Sequence, residues 1–360
     1  VQSARGPLDS PLALSHPQGF GAKGLLMAQY AAHRLLQLIF VLIGVSMVVF
    51  VTMHLLPGDV AQMLLGDRAT NAELARLRHT LGIDQPIWVQ YMRFVLDALH
   101  GDFGTSLATN HPAIDDVLVA FPVTLQLTFC SLAIASLIGV PLGVMTAVWN
   151  GSRFDTVMMT ATLFGVSMPI FWLGLMLLIL FAAVLGWVPV GGLMPVGMEP
   201  PRVTGMSIID AALTGDATMA WEAVHSMLLP AFTLATVPLA LITRITRAEV
   251  MAAAMLDHVR TAHAKGLSGR QVVLRHVLRN AAIPIVTVIG LQLGLLLSGA
   301  VLTETIFALP GVGRLMVDSI LSRDYSVVQA GALFIAITFV LVNLLVDLSY
   351  TLLDPRVGRR

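Results

Sequence analysis

Six uncharged runs, each long enough to cross a bilayer, leave this 360-residue chain little choice of fold. They are Leu35–Met53, Phe121–Trp149, Val157–Leu185, His225–Thr243, Ala281–Thr303 and Val327–Val346. A helix needs about 20 predominantly apolar residues to span the hydrocarbon core. No water is available there to satisfy peptide groups, so runs of this length must be helical. With 56% hydrophobic and 12% charged residues, the chain reads as a polytopic membrane protein. The expected fold class is all-α and integral to the membrane, with six transmembrane helices. The third run continues uncharged past Trp187 to Met198, which leaves its outer end open.

Formal net charge is zero, but its placement is uneven. With the N-terminus inside, the inner segments carry 14 Lys/Arg and 6 Asp/Glu, and the outer ones 7 and 15. Basic residues favour the cytoplasmic side, so both termini are expected in the cytoplasm. The single cysteine, Cys130, lies within the second run, where a small apolar packing residue is expected. One thiol excludes a disulfide or a multi-thiolate metal site within the chain.

Val1–Lys23 is rich in Pro, Gly, Ser and Gln and reads as disordered, with the tail placed at residues 1–28. Met27 opens a plausible membrane-protein start, so the first 26 residues read as an over-extended start or a dispensable tail. The first run exceeds the roughly 7–15 apolar residues of a signal peptide, and no small-x-small site follows.

Leu56–Ala120 is expected as a small helical extracytoplasmic segment. Helical spacing over Ala72–Leu81 and Trp88–Leu99 supports it. The segment holds Pro57-Gly58-Asp59, Leu81-Gly82-Ile83-Asp84-Gln85-Pro86, Gln90-Tyr91 and Gly101-Asp102-Phe103-Gly104-Thr105-Ser106. It could cap the outer mouth or meet a soluble binding protein.

Pro169 should kink the third run, and Pro230 with Pro238 should make the fourth irregular. The outer loop Gly186–Val224 sets Glu199, Asp210, Asp216 and Glu222 against Arg202 alone, an acidic surface. His225 reads as an interfacial residue. After the fifth run come Glu304, the turn Pro310-Gly311, Gly313, Arg314 and Arg323-Asp324. Glu304 stands where charge is expensive unless paired, and Arg314 or Arg323 is the candidate partner. The stretch reads as a hairpin tying the fifth span to the sixth. Asp347 sits near the inner interface.

The longest polar interruption of the second half is Glu249–Pro284. Arg244 to Arg279 carries seven Lys/Arg and two acids. Ala248–Lys265 is helix-forming, Gly266 is placed to end that helix, and Ser268 with Gln271 forms a capping box for the next. A helix–turn–helix knuckle on the basic side of a membrane is either a docking surface or an ordinary loop.

Two sets of motifs carry a family resemblance. Arg260-Thr261-Ala262-His263-Ala264-Lys265-Gly266, then His276-Val277-Leu278-Arg279-Asn280-Ala281 and Pro284, resembles the cytoplasmic loop of ABC-importer permeases, more narrowly the peptide/nickel subfamily. The outer series from Pro57-Gly58-Asp59 to Gly101–Ser106, and the run Glu304 to Asp324, are also similar to peptide permeases. Arg260-Thr261-Ala262 stands where the wider superfamily has Glu-Ala-Ala, so no role of that Glu is carried over. The resemblance implies a type I ABC-importer permease fold: residues 29–120 as the leading region, 121–350 as the core, 244–283 as the coupling loop and 351–360 as a cytoplasmic tail. It implies ATPase coupling through Asp257, Arg260, Thr261, Ala262, Lys265, Gly266 and Leu267, braced by His276, Arg279 and Asn280. It implies structural roles outside for Pro57, Gly58, Asp59, Gly101, Asp102, Gly104, Glu304, Pro310, Gly311, Gly313, Arg323 and Asp324.

The chain has two lysines, Lys23 and Lys265, and neither lies in a phosphate-cradling Gly-x4-Gly-Lys-Ser/Thr loop. ATP, the implied energy source, would then bind partner subunits, with no cofactor in this chain. There is no His-Glu-x-x-His, and Pro169 occupies the second glycine of a Gly-x-Ser-x-Gly around Ser167. The span centres hold no ionisable pair of the kind ion-coupled transporters use. A membrane scaffold would share the hydropathy and the knuckle. The implied partners are a second homologous permease subunit, two ABC ATPases, an extracytoplasmic substrate-binding protein and membrane lipid, with no nucleic acid. The implied location is the bacterial inner membrane. Dipeptides or oligopeptides are the expected cargo, with nickel chelates, glutathione and ion-coupled transport as alternatives.

Overall fold

The computed structural model describes residues 20–55 and 69–353, all helices and connecting turns apart from one isolated bridge, Thr105 to Pro112. The tail ahead of Phe20, Pro57-Gly58-Asp59, the Asp347 side chain and residues 354–360 lie outside what is described.

Helix α1 runs Phe20–Leu55. It starts inside the segment read from sequence as a tail of residues 1–28; Gly21 and Gly24 disfavour a helix there, but Leu25, Leu26, Met27 and Ala28 favour one and lead into the apolar run. Helix α2, Asn71–Leu81, begins at a capping box between Thr70 and Glu73 and ends at Gly82, whose φ of 70° is open to glycine. Helix α3 is Ile87–Leu99. Both short helices fall where the apolar spacing placed them.

The centre is a long pair, α4 (Ala113–Val148) and α8 (Ala217–Ala254), packed along their length. Small residues let them close: a Cβ on Gly143 would meet Thr246 Cβ at 2.5 Å and the Thr243 carbonyl at 2.6 Å. Helix α8 does not become irregular at Pro230 and Pro238; it passes through both. Neighbouring helices and Ser/Thr side chains make such prolines tolerable in a membrane helix. Here the neighbour is α4, which packs along α8.

Pro169 does more than kink its span. Helices α5 (Arg153–Ser167) and α6 (Ile170–Val184) meet at 104°, because Pro169 cannot donate and Met168 before it is extended, at φ −82°, ψ 135°. Helix α7 (Ser207–Leu213) sits in the following loop. Helix α9 is Asp257–Ala264, and α10 is Gly269–Gly299 with a π-turn at Val273–Val277. Short helices α11 (Val301–Ile306) and α12 (Val312–Leu321) lead to α13 (Tyr325–Leu353). Helix α10 packs on α8, α4 and α13, and α1 leans on α13.

By length and composition α4, α8, α10 and α13 can each cross a membrane, and the bent pair α5–α6 is a fifth candidate among the described residues. In α1 the apolar stretch is shorter, Leu38–Thr52. The bundle has two ends. One, the hub end, carries residues 99–113, 186–224 and 300–325. The other, the knuckle end, carries α9 and the start of α10.

Candidate functional site

The knuckle forms because the expected single helix over Ala248–Lys265 is broken. Helix α8 stops at Ala254 and α9 starts at Asp257. The break lets Val259 and Ala262, one turn apart, swing onto Val250 and Ala253 of α8 and Val272, Val277, Ala281 and Ile285 of α10. This apolar underside explains the turn better than propensity does, since packing decides where propensities are similar. Gly266, at φ 79°, then reverses the chain, and nothing lies within 4 Å of a Cβ built there. Its N–H donates to the His263 carbonyl at 2.9 Å. Ser268 and Gln271 form the capping box expected of them.

The knuckle motif therefore divides into an inside and an outside. Ala262 is buried core, and the Thr261 hydroxyl bonds back to the Asp257 carbonyl at 3.0 Å. Asn280 Nδ2 reaches His258 Nε2 at 2.9 Å and the His276 carbonyl at 2.8 Å, tying α10 to α9. Asp257, Arg260, Lys265, Gly266, Leu267 and Arg279 face outward. Arg260 lies 3.9 Å from Asp257 with both side chains mostly exposed, a contact worth little. Lys265, Arg275 and Arg279 have no ion pair among the described residues.

Beside the knuckle, sequence reading missed a clamp. Arg247 of α8 donates through Nε and Nη2 to both oxygens of Asp155, at 2.8 Å each, and through Nη2 to Asn150 Oδ1 at 2.7 Å. Gly151 N–H adds a bond to Asp155 at 3.0 Å. The two-pronged geometry fixes the α4–α5 turn against α8. The available signal was an acid and an arginine each lying just beyond the same ends of two uncharged runs.

At the hub end the motif acids are interior. Asp324 is buried, and its Oδ2 accepts from Ser106 Oγ at 2.6 Å, Leu107 N–H at 2.7 Å and Ala108 N–H at 3.3 Å. Gly104, at φ 81°, turns the chain toward it, and Asp102 accepts from the Gly104 N–H at 2.9 Å. Two motifs more than 200 residues apart thus form one joint. Gly101 makes its turn at φ 79°, and Arg323 sits exposed at φ 58° at the end of α12.

Glu304 has no arginine partner, contrary to expectation. It is fully buried and accepts from Thr124 Oγ1 at 2.6 Å and from the backbone N–H of Arg314 at 3.1 Å. Gly313 N–H is its third donor. The Arg314 side chain turns instead to Asp318, Nε to Oδ2 3.6 Å. The start of α12 supplies what the arginine was expected to supply, since free N–H groups and the helix dipole there favour an anion. Burial pushes the Glu304 carboxyl above its ordinary range, against the pull of its donors. Gly311 is required because a Cβ would overlap that carboxylate, and one on Gly313 would meet Val301 Cα at 2.6 Å. Pro310 is exposed at the turn. Thr124, which also accepts from Val312 N–H at 2.9 Å, was missed. A threonine inside an uncharged run gives no sequence signal.

The 186–224 loop is less acidic in effect than in composition. Asp210 is buried and accepts from Thr204 N–H and Oγ1 at 2.7 Å each and Gly205 N–H at 2.9 Å. Burial pushes its carboxyl up, and those bonds outweigh it and hold it below the ordinary range. Asp216 caps α8. His225 accepts no metal role: Nε2 is 2.6 Å from the Trp187 carbonyl. Among the described residues no group of three or more His, Cys, Asp or Glu could hold a metal.

Residues 139–359 match the family model described as binding-protein-dependent transport system inner membrane component, and residues 27–128 match its N-terminal companion. The chain is 44% identical to the probable D,D-dipeptide transport system permease protein DdpB of Escherichia coli K12, over 89% of this chain and 95% of that one. It is also 44% identical to the dipeptide transport system permease protein DppB of Alkalihalophilus pseudofirmus, over 92% and 99%. In fold it is similar to a chain of the inward-facing MetNI methionine ABC transporter, with a TM-score of 0.51 at 16% identity, over 68% of this chain and 97% of that one. The chain belongs to the binding-protein-dependent transport system inner membrane component family, the membrane permeases of ABC importers.

Proposed function

We propose that this chain is one permease subunit of an ATP-driven importer of dipeptides. It crosses the membrane six times, α1 and the pair α5–α6 included, with both termini in the cytoplasm and the hub end outside. The knuckle docks a partner ATPase through Arg260, Lys265 and Leu267. A second homologous permease completes the path, two ATPases drive it, and a soluble binding protein delivers cargo to the hub end. ATP is bound by those partner ATPases.

The observation that carries this reading is the make-up of the knuckle. Its underside is sealed on its own helices, while on its basic outer face Lys265, Arg275 and Arg279 have no ion-pair partners among the described residues. Force from a separate ATPase needs such a stiff, outward-facing contact. The dipeptide assignment draws on the names of relatives at 44% identity. Uptake of a labelled dipeptide by cells with and without the gene tests it, with tripeptide, glutathione and Ni²⁺ as competitors. Loss on deletion, with parental uptake blocked by peptides and not by Ni²⁺, is expected. Unchanged dipeptide uptake with lost glutathione or nickel uptake would overturn the cargo.

A further inference from the structure

Helix α3 carries an exposed apolar stripe that a surface in water does not favour. At about 100° per residue, Trp88, Met92, Leu96 and Leu99 form one stripe, and Gln90, Arg93 and Asp97 form another on the far side. The apolar stripe is exposed: Trp88 is 71% exposed, Met92 55%, Leu96 50% and Leu99 77%. Of the polar stripe, Gln90 is half-buried while Arg93 and Asp97 are exposed, and the three border an open cavity of about 360 Å³ with Asp102 and Gln329.

A third side of α3 is bonded to α1. The rings of Tyr91 and Phe94 lie 5.4 and 5.8 Å from that of Phe50. Tyr91 Oη is 2.9 Å from Ser46 Oγ, and Gln90 Oε1 is 3.0 Å from His54 Nε2. These contacts fasten α3 to α1 between Ser46 and His54, at one end of the apolar stretch Leu38–Thr52. That stretch itself exposes Met47, Val48 and Val51. A stripe of exposed large apolar groups is favourable only where the surroundings are less polar than water.

We infer that α3 lies in the plane of the membrane surface, with Trp88, Met92, Leu96 and Leu99 seated in lipid at the headgroup–acyl boundary. An amphipathic helix seats its apolar face there, and tryptophan is enriched at that depth. Lipid is the occupant because the stripe continues the exposed apolar surface of α1, to which α3 is fastened. The inference rests on the membrane-spanning reading of α1 and uses neither cargo nor transport direction. Anchored this way, α3 holds the Gly101–Ser106 turn, which follows it directly, at the depth of Asp324.

The test places nitroxide labels through Met92→Cys, Leu96→Cys and Arg93→Cys, each in a Cys130→Ser background. The full-length chain, with its co-purifying subunits, is reconstituted in phosphatidylcholine–phosphatidylglycerol vesicles. Collision with oxygen and with a water-soluble nickel chelate separates lipid, water and protein surroundings. The oxygen-to-nickel ratio at Met92 and Leu96 is expected several-fold above that at Arg93. A ratio equal to that at Arg93 would overturn the inference, as would poor access to both reagents, which would mean cover by a second permease chain or another segment. Should the labelled variants fail to assemble, brominated lipid replaces them. It should quench parental emission more than that of Trp88→Phe; equal quenching overturns the inference. Failure of dipeptide uptake would leave these readings unchanged.

Discussion

Asp324 and Glu304 at the hub end are buried, and each accepts at least three hydrogen bonds, whereas Arg260 and Lys265 on the knuckle stand in solvent. Both regions were marked by the same kind of signal, polar motif residues flanking apolar runs. They differ in what remains available. The hub acids have used their acceptor capacity on Thr124, Ser106 and backbone N–H groups, so they brace loops to helices and have nothing left for cargo. The knuckle cations have kept theirs. A polar motif beside a membrane span is therefore structural or functional according to whether its own chain satisfies it.

The contrast breaks most readily at Asp324. Asp324→Ala leaves the buried Ser106 hydroxyl and the Leu107 N–H without an acceptor, at a cost of about 3 kcal/mol. Folded protein in detergent should fall sharply, and Asp324→Asn should recover part of it. A parental melting curve for the alanine variant would remove the brace. Next is the Glu304 joint. Glu304→Gln keeps the shape but turns an N–H₂ toward donors, at about 1–3 kcal/mol. Combined with Thr124→Val, it should cost less than the two single changes added, because they share one bond. Full additivity of the melting shifts would separate them.

Gly266→Val sharpens the other side. Alanine there would strain the positive φ by about 1 kcal/mol and β-branched valine by more, about 2 kcal/mol, although a Cβ meets nothing within 4 Å. Insertion and membrane level should be near parental while uptake is lost; normal uptake at normal level would end the coupling role. The smallest effect is expected from Arg260→Ala and Lys265→Ala, which should shift stability by no more than about 0.5 kcal/mol. A larger drop, read by thermal melting, would mean that these cations belong to the fold.

Much of the frame was legible before any coordinates. Apolar residues at helical spacing placed α2 and α3, and Gly266 reversed the chain where its lack of a Cβ permits. Local signals stopped where packing took over. The break at Met255–Leu256 serves Val259 and Ala262, whose partners on α10 lie ten or more residues away. Pro169 and Pro238 look alike in sequence, yet one accompanies a 104° bend and the other sits in a continuous helix. The difference lies in the surroundings, since Pro238 is buried within the bundle while much of the surface beside Pro169 is exposed. Arginine was the obvious mate for Glu304 by charge. A helix start and a threonine served instead, and neither registers in a charge pattern.

The most direct single measurement purifies the parent and an Arg260→Glu, Lys265→Glu double variant from the same cells. It compares the ATPase subunits that come with each. The expected result is a variant that inserts and melts like the parent, carries little or no ATPase, and supports no dipeptide uptake. A variant that retains its full complement of ATPase and normal uptake would contradict docking through the knuckle.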